Sequence, residues 1–166
     1  MKRCAVFLLS LFMTLVLSAA SADIGNWILE QQNSTQTYTI PSGTVLGDNQ
    51  ILIISRDSNK TAFETAWGVS LPADVVFISS GRTIPQINGQ ETYSLKNASQ
   101  TTVDGPSNTG SLISGNGEIV VRTSTDANEW TKDTSGRLPG SLDGINLTGA
   151  GPKIVVVADK SGTGNY

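Results

Sequence analysis

From Asp23 onward the chain is a succession of short apolar runs, alternating or rich in β-branched residues, each cut off by glycine, asparagine, serine or proline. Runs of this length match strands and fall short of ordinary helices, so the pattern predicts an all-β domain. Trp27-Ile28-Leu29-Glu30-Gln31 opens the series. Thr37-Tyr38-Thr39-Ile40 alternates and stops at Pro41-Ser42-Gly43, which cannot continue a ladder. Gln50-Ile51-Leu52-Ile53-Ile54-Ser55 is continuously apolar and predicts a strand in the centre of a sheet, covered on both faces. Further strands are expected at Asp74 to Ile78, around Thr92-Tyr93-Ser94-Leu95, at Glu118 to Arg122, at Glu129-Trp130-Thr131 and at Lys153 to Ala158. Asn88-Gly89 and Asn116-Gly117 supply tight turns between them.

One stretch departs from this rhythm. Ala62, Phe63, Ala66 and Trp67 fall at helical spacing after a polar Asp57-Ser58-Asn59 start, and Gly68 supplies a stop. The spacing predicts one short helix near residues 60–67 whose apolar face plugs an end of the sandwich. Alternation also places Trp27 with Leu29, and Tyr38 with Ile40, on common faces, which favours core positions for both aromatics.

The amino-terminal twenty-two residues are different in kind. Lys2 and Arg3 precede an apolar run from Ala5 to Leu17, followed by Ser18-Ala19-Ala20-Ser21-Ala22. This is the organisation of a secretory signal peptide, and cleavage is expected before Asp23. The sequence therefore divides into a leader at 1–22, a β-sandwich domain at 23–151, and a carboxyl-terminal strand and linker at 152–166. Cys4, in the leader, is the only cysteine. The domain must be stabilised by a hydrophobic core without disulfides, and 144 residues suffice for one. Without Lys2 and Arg3, nine basic residues face fourteen acidic ones, a net charge of −5. The nine are scattered and not interleaved with aromatics, so nucleic acid is not an expected partner.

Three segments in order resemble a lamin-tail domain of the bacterial secreted kind. They are Asp23-Ile24-Gly25-Asn26-Trp27-Ile28-Leu29, the stretch from Tyr38-Thr39-Ile40-Pro41-Ser42-Gly43-Thr44-Val45 on to Ile51-Leu52-Ile53-Ile54-Ser55-Arg56-Asp57, and Glu129-Trp130-Thr131 with Leu138-Pro139-Gly140-Ser141. Phe63 and Trp67-Gly68 lie between the second and the third, and the resemblance spans about residues 23 to 144. It implies an immunoglobulin-like β-sandwich used as a binding or structural module, sometimes appended to hydrolases, with no catalytic residues to transfer. Such domains usually begin with two strands before the Gly-x-Trp entry, and here those strands are missing. The segment Lys153 to Tyr166 looks like the opening strand of such a domain. Two readings stay open: the chain stops where a second domain starts, or its last strand fills the gap, within the chain or by donation to a neighbour.

Catalysis lacks its usual parts. There is no histidine, no cysteine past the leader, and no nucleophile elbow, phosphate loop or dinucleotide fingerprint. Asp57, Glu64, Asp74, Glu91, Asp104, Asp126 and Asp143 read as turn formers and solvated faces rather than as a glycosidic acid–base pair. Asp57-Ser58-Asn59 begins like a calcium loop, but Lys60 and Ala62 stand where further oxygens and a glycine belong, so no metal and no cofactor is expected. Asn-x-Ser/Thr triplets at Asn33, Asn59, Asn97 and Asn146 read as chance in so polar a chain. Trp130, among polar neighbours, is the best candidate for an exposed ligand contact. The expectation is a secreted or envelope-associated, non-enzymatic module for adhesion or scaffolding. It would bind protein or polysaccharide and could self-associate through an open sheet edge; the alternative is a carbohydrate-binding module attached to an extracellular hydrolase.

Overall fold

The computed structural model describes residues 21–85, 91–108, 112, 117–125, 127–136, 138, 140–147, 151–154 and 156–158. Within them the protein is mostly short β-strands in several small sheets, with a single short helix, an architecture consistent with an all-β sandwich. The strands are β1 (Ser21–Asp23), β2 (Ile28–Gln31), β3 (Thr37–Thr39), β4 (Val45–Gly47), β5 (Leu52–Ser55), β6 (Val76–Ser79), β7 (Tyr93–Lys96), β8 (Thr102–Asp104), β9 (Ile119–Arg122), β10 (Trp130–Lys132) and β11 (Val156–Ala158); helix α1 is Lys60–Trp67. A four-stranded antiparallel sheet runs β3-β2-β7-β8 and a three-stranded one β10-β9-β11, while β1 pairs with β4 and β5 with β6. The Asn88-Gly89 turn and Asn116 lie outside the described residues.

The helix forms where local signals converge. Asn59 caps its start, the side-chain oxygen accepting from the Ala62 amide at 2.9 Å. Gly68 ends it in the left-handed conformation at φ 65°, and its amide and that of Val69 return to the carbonyls of the last turn. Phe63 is buried with Leu71 and Val75, and Trp67 and Phe77 pack around them. Phe63 meets Phe77 edge-on with 5.3 Å between ring centroids.

The run from Gln50 to Ser55 was expected in the middle of a sheet, and here the fold differs. Its strand β5 has one ladder neighbour, β6, and that pairing is parallel, Leu52↔Val76 to Ser55↔Ser79, with α1 as the crossover. Both faces are nonetheless covered. Ile53 and Phe77 pack on the Phe63–Leu71–Val75 cluster, whereas Leu52, Ile54 and Ile78 pack on a second cluster built on Ile24, Ile40 and Leu95. Helix α1 and its cluster thus cover one face, and a neighbouring sheet covers the other. The continuous apolar run follows from two-sided burial, not from a central place in the ladder.

Trp27 and Tyr38 are half-buried against the Ile24–Ile40–Leu95 cluster; Tyr38 shares it with Ile40, as alternation predicts, whereas Leu29, expected on the face of Trp27, packs on a different cluster. A third cluster centres on Tyr93 and the fully buried Val120, with Leu29 and Trp130 packed on it. Ile154 packs against both of these clusters and so joins them. Just beyond it β11 pairs antiparallel with β9, Val156↔Val121 to Ala158↔Ile119, so within this chain the carboxyl-terminal segment forms the outer strand of the β9 sheet.

Two outcomes follow. A chain ending at Gly151 loses the half-buried Ile154 and the β11 ladder and should be destabilised by about 2 kcal/mol, the low end of the range for truncating a core isoleucine, by chemical denaturation. Glu64 has its carboxyl held below its ordinary pKa by the Lys60 side chain and then by the Leu71 amide. Because the folded-state value is lowered, the stabilisation is complete above the ordinary carboxylate range and is lost as pH falls through the folded value. The stability gap between wild type and Glu64→Gln should therefore close on acidification, read from thermal midpoints across the acid range.

Candidate functional site

The polar feature with the most structure around it sits at the end of β9. Ile119, Val120, Val121 and Arg122 are all buried, because β10 and β11 flank β9 on both edges and the Tyr93 cluster packs against it. An arginine ending such a run must bring its partners with it. Arg122 does so: Nη2 donates to both oxygens of Asp104 at 2.8 and 2.7 Å, Nη1 to the Ala127 carbonyl at 3.2 Å, and Nε to the Ile154 carbonyl at 2.9 Å. Asp104 ends β8 and is likewise buried, the two side chains being 6 % and 3 % exposed.

Asp104 therefore departs from the solvated turn residue its glycine neighbour suggested. The guanidinium compensates the charge, and the carboxylate's remaining capacity goes to the main chain, since Oδ2 also accepts from the Ile154 amide at 2.8 Å. The buried pair thus grips both backbone polar groups of one residue, the amide through Asp104 and the carbonyl through Arg122. That grip reads the main chain of residue 154 and not its side chain, much as a β-ladder does. Gly105 lets β8 lie close enough to β7: its φ is 94°, and a Cβ there would stand 2.6 Å from the Tyr93 carbonyl oxygen.

Trp130, the expected ligand contact, stands at this junction. It is half-buried, its body against the Tyr93–Val120 cluster, with the Arg122 guanidinium carbon 5.0 Å from its ring centroid. Its Nε1 donates to Asn128 Oδ1 at 2.7 Å, and the Asn128 amide donates to the Pro106 carbonyl. Part of the indole still meets solvent, but the ring is held by structural partners.

The other singled-out carboxylates are dispersed. Asp57 accepts from Arg82 Nε at 2.8 Å, Glu64 pairs with Lys60 on α1, and Asp143 accepts from the Ser141 hydroxyl at 3.0 Å. Asp74 is exposed and Glu91 half-buried, while Asp126 lies outside the described residues. Lys96–Glu30 joins β7 to β2, and Lys132–Glu118 joins β10 to the residue before β9. Among the described residues no group of three or more acidic, histidine or cysteine side chains could hold a metal ion, and no helix is long and apolar enough to cross a membrane.

Sequence reasoning missed the Asp104–Arg122 pair because its members are eighteen residues apart and each looks ordinary alone. The available signal was an arginine closing a run of three β-branched residues. In comparisons with known proteins, no family model, no curated protein and no solved structure matches this chain.

Removing either charge leaves the other buried and uncompensated. Asp104→Ala or Arg122→Met alone should cost about 3–5 kcal/mol, and the double variant distinctly less than the sum of the two. Denaturant unfolding of the four proteins of this cycle checks the coupling.

Proposed function

We propose that this chain is an exported, non-catalytic β-sandwich module that mediates adhesion or scaffolding outside the cytoplasmic membrane and binds protein or polysaccharide at its sheet edges. The resemblance to lamin-tail domains supports this reading and adds an immunoglobulin-like strand arrangement to it. The leader-like sequence at residues 1–22 supports export.

The observation that carries the reading is β3, the outer strand of the four-stranded sheet. Outer strands are usually blunted by shortness, charge, proline or a bulge. Thr37-Tyr38-Thr39 is short but carries no charge, proline or bulge, and both threonines are exposed. By contrast, β8 on the opposite edge meets its neighbour through a register irregularity. A strand added at β3 would gain main-chain hydrogen bonds without burying a charge. The chain already holds its own carboxyl-terminal segment by main-chain contacts at β9.

A second reading, a carbohydrate-binding module attached to an extracellular hydrolase, is favoured by the pairing of Trp130 with exposed Asn128. A part-exposed indole with an exposed amide at its edge suits a sugar ring.

Light scattering coupled to size exclusion over a concentration series separates the two. Edge binding predicts concentration-dependent association that Thr39→Pro or Thr37→Lys abolishes, while a monomer at all concentrations together with retardation on a polysaccharide column that Trp130→Ala abolishes supports the second reading. A monomer with neither property contradicts both.

A further inference from the structure

We propose that maturation cuts the Ala20–Ser21 peptide bond, so that β1 survives whole and Ser21 carries the new amino terminus. This rests on the export reading and revises one point of it, the bond that is cut. Leader removal requires small side chains immediately before the bond and two residues further back. Between the apolar run and the domain, three bonds meet that requirement: after Ala20, with Ser18; after Ser21, with Ala19; and after Ala22, with Ala20. Small side chains alone do not choose among them.

The fold does. Ser21, Ala22 and Asp23 pair antiparallel with Gly47, Leu46 and Val45, and β1 is the strand partner of β4 in a two-stranded sheet. Cleavage before Asp23 removes two of those three pairs and leaves β4 nearly without a ladder. It also removes apolar cover, because Ala22 and Leu46, directly opposite each other, both pack on the Ile24–Ile40–Leu95 cluster. Val45 is already 48 % exposed, so β4 would become an unpaired, largely apolar segment at the surface. Cleavage before Ala22 spares that contact but places the new ammonium group inside the ladder. Cleavage before Ser21 alone keeps all three pairs and puts the charge at the exposed outer end of β1. Ser21 and Ala22 thus serve twice, as small residues next to the processing point and as the first strand of the folded domain.

The test is to express the full chain with its leader in a bacterial host, recover the exported protein, and determine its intact mass and amino-terminal sequence. A single species beginning at Ser21 is expected; one beginning at Ala22 or Asp23 overturns the proposal while leaving export standing. A chain that keeps residues 1–20 overturns export as well, and the two failures differ in mass. Ala22→Leu, which places a large side chain before the Ala22–Asp23 bond only, should be processed at Ser21 in undiminished yield; loss of processing would contradict the proposal. Refolded chains starting at Ser21 and at Asp23 should differ in thermal midpoint by several degrees, the longer being the more stable, and equal midpoints would remove the physical reason for the choice.

Discussion

The buried pair of Asp104 and Arg122 is the contact on which the rest of the fold depends. Two ions withdrawn from water cost several kcal/mol each unless geometry and further hydrogen bonds recover it. Here the recovery is spread over four segments: Asp104 on β8, Arg122 on β9, the Ala127 carbonyl between β9 and β10, and both backbone groups of Ile154. None of these segments is long, and strands of three or four residues have little stability of their own. A polar junction that is satisfied only when all four are in place makes their assembly cooperative. Ile154 then couples that junction to the apolar interior, since its side chain bridges two clusters while its backbone is gripped by the pair.

The remaining cluster belongs to the β5–α1–β6 unit, which packs its helix on one side and presents Leu52, Ile54 and Ile78 on the other. A two-stranded parallel ladder is weak by itself, and it persists because both faces are buried against different partners. The protein is therefore held together less by continuous sheets than by side chains that alternate between clusters. The ion pairs Lys96–Glu30 and Lys132–Glu118 add cross-strand links, worth little at partly exposed sites.

What the sequence made legible was local. The helix could be read because its cap at Asn59, its apolar spacing and its stop at Gly68 lie within ten residues, and the longer apolar runs could be read as strands because their period survives over four or more positions. What escaped was short or distant. β4 and β8 have three residues each and little period, and β1 lies in a stretch whose composition also fits a leader. The parallel partner of β5 lies across a helix and leaves no local trace. Trp130 was singled out because its chain neighbours are polar, whereas its spatial neighbours are Arg122, Tyr93 and Val120. The Asp104–Arg122 junction could not be read for the same reason: its parts are spread over some fifty residues and meet only in the fold.

The function proposed here is main-chain recognition at a sheet edge. The proposed edge at β3 and the capture of Ile154 use the same physical means, hydrogen bonds to the main chain, with side chains deciding fit. The most direct test of the central claim is native-state hydrogen exchange at the Ile154 amide, which donates to Asp104 and lies in no ladder. If the buried pair locks the carboxyl-terminal segment into the core, that amide exchanges as slowly as the amide of fully buried Val120, through global unfolding. Exchange at the rate of an exposed loop amide, with Val120 still protected, would show that the segment detaches freely and that the fold does not depend on the junction.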